Sequence, residues 1–350
     1  MICKTILSFL ASIIKLFIIL LLITKTLAYA IAGETFSNDN GVLSVMYHRF
    51  NENKYPSTNI DMEIFKKHIQ IIKDKNFKFI NLKDFKENFD IRKDEKKILL
   101  TVDDGFKSFY DNAWPFLKEN KIPFILFIST EPVGKTGYMN WDQIKEIEKE
   151  NFAYIGNHSH SHEYLINYEF DKFKKDIDKS INIFQDKIGY NPIYFSYPFG
   201  EYSLEQKLYI KKNFEFAFGQ NSGVIDLNKD KFELPRFPIN EKYGDIERFD
   251  FLIKLKPLEY KKISIKDNLI LPENNPPNLK ITFFNNQNVN GITCFSNEGE
   301  DWHQTKTELE GNVLKFFFKE KFKFRRGRVN CSLNQDGWRW LGLQFSIKTN

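Results

Sequence analysis

The sequence has no block of basic residues. Its 51 Lys and Arg residues are interspersed with 46 Asp and Glu residues, and the formal net charge is only +5. Proteins that bind nucleic acid usually collect positive charge on one face or in one segment, so a nucleic acid is excluded as the expected partner. The sequence also has no internal repeat and no low-complexity segment. Its 350 residues are enough for two globular domains with sizeable cores.

Cysteine is also scarce, with three residues in the whole chain. Cys3 lies in the N-terminal stretch and would leave with it if that stretch were cleaved. Cys294 and Cys331 then remain as an even pair, which could form a disulfide in an oxidising compartment. The sequence does not establish that they are bonded.

The first 32 residues resemble a secretory signal. Lys4 and Lys15 flank apolar residues, residues 16–23 are apolar without interruption, and Ala28 and Ala30 offer small side chains to a signal peptidase. An uncleaved anchor helix is the alternative, if Lys15 is tolerated inside the bilayer. Both interpretations predict that the rest of the chain is exported, to a periplasm, the cell envelope or the medium. The anchor would also attach it to a membrane.

Residues 33–255 alternate between short apolar runs and amphipathic helical patterns. Residues 42–47 and 97–102 are typical of buried strands, whereas residues 62–73 and 170–188 have the period of a helix. Strands that alternate with helices predict a parallel sheet, and this number of units indicates a distorted (β/α) barrel. In such barrels the catalytic groups lie where the strands end.

The pattern changes at residue 256. From there to residue 350 there is no helical period, and short alternating runs are separated by clusters of Asn, Gly and Pro. This pattern predicts a smaller, antiparallel β-sandwich domain. Its three tryptophans indicate a sandwich core more than an exposed platform for sugars. They are Trp302, Trp338 and Trp340.

The stretch TVDDGF, residues 101–106, places two carboxylates at the end of an apolar run. Burial of one unpaired carboxylate costs roughly several kcal/mol. Asp103 and Asp104 therefore need a cation, a proton or contact with solvent. An exposed turn at Gly105 is the structural alternative.

The stretch GNHSHSH, residues 156–162, contains three of the six histidines in the chain. His158 and His162 are spaced so that both imidazoles can reach one metal ion, whereas His160 would point elsewhere. Two imidazoles and one carboxylate make an open metal site with room for water and substrate. Only one aspartate is then needed as a ligand, and the other can act as a general base. Non-haem iron oxygenases use similar ligands, but their antiparallel fold disagrees with the predicted βα alternation.

Residues 41–250 resemble the polysaccharide deacetylases of carbohydrate esterase family 4, whose catalytic domains are called NodB-like. TVDDGF, HSHSH and the YPFG of FSYPFGEYS are similar to the motifs of that family. The resemblance implies that Asp103 is the general base and that Asp104, His158 and His162 hold the metal. Ser159 and Ser161 would brace the histidine loop. The backbone N–H of Phe199 would face the developing oxyanion, with Tyr197, Pro198 and Arg236 on the same substrate side.

Two features depart from the family pattern. Where this chain has Ser196, many members have an arginine that steadies the catalytic base. Arg236 in LPRFP could replace that arginine from another strand. Alternatively, a neutral side chain could steady the base. The chain also lacks a late Leu-x-His motif, which supplies the general acid in many members. His303 lies in the predicted sandwich and is an unsuitable substitute. His48 ends the first strand, as in exported poly-N-acetylglucosamine deacetylases, and is predicted to be the acid or a substrate contact, with a structural histidine as the alternative.

The resemblance implies a hydrolase that removes N-acetyl groups from N-acetylglucosamine-type units of an extracytoplasmic polysaccharide. Zn²⁺ is the expected cofactor, and Ni²⁺, Co²⁺ or Mn²⁺ would also suit mixed nitrogen and oxygen ligands. The alternatives are a carbohydrate-binding protein with an inactive deacetylase domain, and an O-acetyl esterase. Several aromatic residues near predicted strand ends could form a rim that stacks on sugars, or could belong to the core. They are Trp141, Tyr197, Phe199 and Tyr202.

Overall fold

The structure is a computed structural model that describes residues 41–80, 85 and 96–347. The predicted signal or anchor, residues 1–32, lies outside this range. Within the described residues, no helix has both the length and the apolar character that a membrane span requires. Residues 41–283 and 289–347 belong to one compact unit, and residues 284–288 belong to a second. In that second unit the Gln287 N–H donates to the Phe284 carbonyl.

A mostly parallel sheet of nine strands, counted within the described residues, forms the first part of the large unit. Its strands are β1 (Val42–Tyr47), β4 (Lys78–Phe79), β5 (Lys97–Val102), β6 (Phe124–Ile128), β7 (Ala153–Asn157), β8 (Tyr194–Ser196), β9 (Phe216–Phe218), β10 (Val224–Ile225) and β11 (Phe237–Pro238). The spatial order is β10-β1-β5-β6-β7-β8-β9, with β4 beside β5 and β11 beside β1. A separate ribbon pairs β2 (Arg49–Phe50) with β3 (Asn59–Ile60). The central strands are almost wholly buried, which explains their unbroken apolar sequences.

Six α-helices of the described residues accompany this sheet. They are α1 (Met62–Asp74), α2 (Trp114–Asn120), α3 (Trp141–Glu148), α4 (Phe170–Ile188), α5 (Leu204–Asn213) and α6 (Ile246–Leu252). Local signals define several of their ends: α3 and α5 begin with reciprocal capping boxes, and α4 ends at Gly189 in a left-handed conformation. A turn of π-helix, Phe109–Ala113, directly precedes α2.

The strand β9, at one end of the sheet, and β1, next to the other end, are connected by the segment that leads into β11. Leu234 bridges to Phe218 at the end of β9 in a parallel arrangement, and β11 pairs in parallel with β1. Arg236 lies between these two contacts. The predicted distorted (β/α) barrel is therefore confirmed as a curled sheet whose gap is spanned by this segment, which we call the closing segment (residues 234–238).

Residues 256–347, which we call the C-terminal β region, contain two further sheets. One has six strands, β12 (Lys256–Pro257), β14 (Leu269–Ile270), β16 (Thr293–Ser296), β17 (His303–Gln304), β20 (Arg326–Asn334) and β21 (Trp338–Ile347). The other has four, β13 (Lys262–Ile263), β15 (Lys280–Thr282), β18 (Lys306–Glu310) and β19 (Val313–Phe317). Side chains from both sheets share one apolar core, as expected for a sandwich. A domain boundary at residue 256 stays a prediction.

Three details of the C-terminal β region differ from or complete the expectations. The six-stranded sheet is mixed, because β12 and β14 pair in parallel with β21. The core interpretation is wrong for Trp302 and Trp338, which are 43% and 42% exposed, whereas Trp340 packs partly buried against the barrel core. Trp338 and Trp340 share one face of β21, and Trp340 is the more buried because it packs on Phe237 of the barrel. Cys294 and Cys331 form a disulfide between β16 and β20.

Candidate metal centre

Asp103 and Asp104 lie at the carboxyl end of β5, and the chain turns sharply after them. The Asp103 N–H donates to the Tyr47 carbonyl at 2.9 Å, which continues the pairing with β1 by one residue. Asp104 has φ +75° and Gly105 has φ +72°, in the left-handed region. A Cβ at position 105 would approach Ile128 Cδ1 to 2.7 Å, so the turn requires glycine.

The histidine loop follows β7, the second neighbour of β5 in the sheet. Ser159 has φ +71° and His162 has φ +54°. The Ser159 hydroxyl accepts the His162 N–H at 3.1 Å, and the Asp176 carboxylate on α4 accepts the N–H groups of residues 160 and 161. Four left-handed backbone positions thus surround the site, and the histidine loop is held by one hydrogen bond of its own and by the carboxylate of Asp176. The His160 ring points to the Thr130 hydroxyl, at 2.9 Å.

Asp104, His158 and His162 converge on one point. Asp104 Oδ1 lies 3.3 Å from His158 Nε2 and 3.0 Å from His162 Nε2. One ligand atom from each residue lies within 4.8 Å of the others. These three residues therefore form a possible metal site with two nitrogen ligands and one oxygen ligand.

The hydrogen bonds of His158 test whether a cation fits this site. Its Nδ1 lies 2.7 Å from the Ser196 carbonyl oxygen, which can only accept, so Nδ1 must carry a proton. In the neutral ring, the lone pair of Nε2 then faces Asp104 Oδ1. Both atoms are buried without a hydrogen-bond partner among the described residues. Two facing lone pairs require a positive charge between them, and a divalent cation fits this donor set.

Asp103 lies beside this point, with its Oδ2 3.8 Å from His158 Nε2, and is held by Arg236. Arg236 Nη1 lies 2.7 Å from Asp103 Oδ1, and Nη2 lies 2.8 Å from Oδ2, which is a bidentate pair. Both side chains are fully buried. Further donors of the guanidinium reach the Thr101 hydroxyl, the Ser196 hydroxyl and the Gly219 carbonyl. Arg236 therefore lies where a replacement for the missing arginine at position 196 is needed, and its donors point inward, not to a substrate.

The pKa values follow these contacts. Burial raises the pKa of Asp103, but the charges of Arg236 and His158 outweigh burial and hold the pKa below its usual range. Burial likewise raises the pKa of Asp104, and the neighbouring His162 lowers it well below the usual range. The first aspartate is therefore ionised at neutral pH and is able to accept a proton.

His48 lies beside this charge cluster, at the end of β1. Burial lowers its pKa, and the charges of Asp104 and Asp103 oppose this effect without cancelling it. The neutral imidazole is therefore the resting form at neutral pH. His303 is far along the chain in β17, where it contacts Glu298 at 3.2 Å.

The YPFG motif forms a tight turn beside His162. Phe199 has φ +59°, and its ring lies 4.9 Å from that of His162, centroid to centroid. Among the described residues, the Phe199 N–H donates no hydrogen bond, which leaves it free for a ligand. Pro198 is buried, and so is Tyr197, whose hydroxyl donates to the Phe232 carbonyl while its ring stacks on Tyr202. The structure does not bring the Tyr197 and Tyr202 side chains to a surface rim.

Sequence reasoning missed several residues that support the site. Asp176 and Ser129 hold the histidine loop, and Gln344 from the C-terminal β region contacts the Phe199 turn. Asp176 had a usable signal, as a polar residue on the buried face of an amphipathic helix. Gln344 had no such signal in the sequence, because Phe199, which it contacts, is 145 residues away.

The comparison with known proteins agrees with this geometry. Residues 90–217 match the polysaccharide deacetylase family. The poly-beta-1,6-N-acetyl-D-glucosamine N-deacetylase of Staphylococcus epidermidis is 27% identical over 205 residues, which are 54% of this chain and 69% of the relative. The enzyme of the same name from Staphylococcus aureus strain MRSA252 is 24% identical over 249 residues, 62% of this chain and 83% of that one.

Two solved structures share the fold. The Streptococcus pyogenes deacetylase PplD, in complex with acetate, aligns with a TM-score of 0.54 and 19% identity over 59% of this chain and 95% of its own. IcaB from Ammonifex degensii aligns with a TM-score of 0.53 and 20% identity over 63% of this chain and 99% of its own. The fold, the matched motifs and the converging side chains agree, and the chain therefore contains a polysaccharide deacetylase domain, matched over residues 90–217.

Proposed function

We propose that this chain is a metal-dependent N-deacetylase, which removes acetyl groups from N-acetylglucosamine-type units of an extracytoplasmic polysaccharide. The observation that carries the proposal is the division of labour between adjacent carboxylates: Asp104 joins two imidazoles, while Asp103 is ionised and held by Arg236. The substrate class is supported by the staphylococcal relatives, which are poly-beta-1,6-N-acetyl-D-glucosamine N-deacetylases by name.

Asp104, His158 and His162 would hold the cation, and Zn²⁺ is our first choice, with Ni²⁺, Co²⁺ and Mn²⁺ as alternatives. A bound divalent cation would act as a Lewis acid that polarises the acetyl carbonyl and lowers the pKa of water. Asp103 takes the proton from the attacking water. The free Phe199 N–H donates to the carbonyl oxygen as it becomes negative. The proton that Asp103 accepts passes through His48, neutral at rest, to the departing nitrogen as the C–N bond breaks, so that acetate and a free amine result.

Acetate release from N-acetylglucosamine oligomers tests the proposal. We expect that mass spectrometry shows the loss of acetyl groups, and that Asp103→Asn lowers the rate at least about 100-fold, since general bases contribute on the order of 10² to 10⁴. Metal content should be unchanged in this variant, because Asp103 is not a proposed ligand. The matched control is Asp186→Asn on the exposed face of α4, which should keep full activity.

The same assay separates the alternatives. Glycan and metal binding without acetate release would favour a carbohydrate-binding protein with an inactive domain. Release of acetate from O-acetylated glycans alone would favour an esterase. An active Asp103→Asn variant would contradict the assignment of the base. We further propose export to the periplasm, cell envelope or medium, and membrane attachment if the N-terminal segment stays uncleaved; fractionation of cells tests both.

A further inference from the structure

The turn Pro198–Gly200 has an unusual backbone that needs outside support. Phe199 and Gly200 both have positive φ, +59° and +69°. For phenylalanine this region is sterically unfavourable, and such residues persist only where their surroundings hold them. The direction of the free Phe199 N–H depends on this conformation.

Gln344 in β21 provides direct support to that turn. Its side-chain Nε2 lies 3.0 Å from the Phe199 carbonyl and 2.9 Å from the Gly200 carbonyl, so one amide group joins both peptides. The Gln344 side chain is only 5% exposed, and its Oε1 accepts from Arg328 Nε at 3.3 Å. That contact fixes which end of the amide faces the turn. A Cβ at position 200 would lie 3.0 Å from Nε2, so glycine permits the close approach.

The C-terminal β region holds the side chain of Phe199 as well as its backbone. The Phe199 ring stacks on Tyr164 with centroids 4.3 Å apart. The guanidinium carbon of Arg325 lies 3.7 Å from the centre of the Tyr164 ring, within cation–π distance. Gln344 in β21 thus contacts the turn itself, and Arg325, just before β20, contacts the Tyr164 ring that packs on Phe199.

We infer that Gln344 is a positioning residue for catalysis, which aims the Phe199 N–H at the reacting carbonyl. The C-terminal β region is then an integral part of the active site, and not a separate module that only binds glycan. This inference rests on the proposed function, in which the Phe199 N–H stabilises the oxyanion. Gln344 acts through hydrogen bonds to the turn and does not touch the substrate.

Gln344→Met tests the inference, because methionine has a similar length and no donor. We expect kcat to fall about tenfold to 100-fold, as for a small misplacement of a catalytic group, while KM stays within about twofold. Metal content and the unfolding midpoint should match those of Gln304→Leu, an exposed glutamine of β17 that serves as control. Gln344→Glu is the second variant, because an ionised carboxylate cannot donate to two carbonyls.

Hydrogen–deuterium exchange of the metal-free protein gives a readout that does not depend on activity. The N–H groups of Gly200 and Glu201 close the turn by bonds to the carbonyls of Tyr197 and Pro198, and we expect them to exchange faster in Gln344→Met. Unchanged exchange, or an unchanged kcat in both folded variants, would overturn the inference. A wild-type protein without deacetylase activity would defeat the proposed function, and exchange would still decide whether Gln344 holds the turn.

Discussion

At the scale of single residues, the pair of Asp103 and Arg236 dominates the energetics of the site. Both side chains are fully buried, and two short hydrogen bonds join them. A buried ion pair adds little net stability, but the loss of one partner leaves the other charge without compensation. The pair therefore keeps Asp103 ionised inside the protein, which is the form that a general base needs.

Arg236→Met should destabilise the protein and inactivate it. We expect a loss of about 3 kcal/mol in the free energy of unfolding, because the Asp103 charge stays buried and unpaired. Urea denaturation of the single variants and of Arg236→Met with Asp103→Asn measures the coupling between the two residues. The double variant should lose less stability than the sum of the single losses. Strict additivity would contradict the pairing.

A divalent cation should stabilise the folded protein through the three converging side chains. A ligand that binds only the folded state at 100 times its Kd adds about 2.7 kcal/mol to the free energy of unfolding. We expect Zn²⁺ to raise the unfolding midpoint and a chelator to reverse the rise. Asp104→Asn should abolish this response, whereas the exposed variant Asp186→Asn should retain it. A response that survives Asp104→Asn would place the cation elsewhere.

At the scale of elements, local signals define the frame on which the site is built. The α3 helix begins at a capping box in which the Asn140 side chain accepts the Gln143 N–H and the Gln143 side chain accepts the Asn140 N–H. Both hydrogen bonds of this cap are exposed, and neither involves a metal ligand. Its contribution should therefore be visible in stability and absent from catalysis.

Asn140→Ala should lower the free energy of unfolding by about 1 kcal/mol, the usual cost of a lost N-cap. Asn140→Ser keeps an acceptor and serves as the matched control, with a smaller loss. Thermal or urea unfolding measures the difference. The deacetylation rate should stay unchanged in both variants, and a loss of activity with Asn140→Ser would show that α3 affects the site.

The elements also explain what sequence could and could not predict. The bounds of α4 and β1 agree with the sequence pattern because helical period and apolar runs are local properties. The contact between Arg236 and Asp103 spans 133 residues, so no local pattern in LPRFP could establish it. The short strand β11 and the parallel pairing of β12 with β21 were missed for the same reason.

The arrangement of the histidine motif could be predicted only in part. Spacing predicted that His158 and His162 converge, but it did not predict the left-handed backbone at Ser159, which makes the convergence possible. The exposure of Trp338 could not be read from composition, because a tryptophan on an outward-facing strand position looks the same as one in the core.

At the scale of the whole molecule, the barrel and the C-terminal β region share a buried acid. Glu201 follows the Phe199 turn, is only 3% exposed, and lies 3.6 Å from nitrogen atoms of Arg325 and Arg326. Burial raises the pKa of Glu201 to about 7, because desolvation outweighs the two arginine charges. The folded protein therefore holds this proton more tightly than the unfolded chain, where the pKa is about 4.3.

This shift makes stability depend on pH. The contribution of protonated Glu201 to the free energy of unfolding is fully present below about pH 4.3 and is lost as the pH rises through about 7. We expect Glu201→Gln to flatten the decline in the free energy of unfolding between pH 5 and pH 8 by roughly 2 kcal/mol. Urea denaturation at several pH values measures this slope. Glu119→Gln, at an exposed glutamate, is the control and should leave the slope unchanged; an equal slope in Glu201→Gln would refute the assignment.

The closing segment has a consequence for how the enzyme comes into being. A ribosome makes Asp103, just after β5, long before it makes Arg236, which pairs with it, and it makes Gln344 later still. Until those parts arrive, the nascent chain carries a bare carboxylate with no counter-charge and an unsupported turn. We therefore expect the site to be complete only when almost the whole chain has been made; a fragment limited to residues 90–217 would contain the three motifs but lack Arg236 and Gln344.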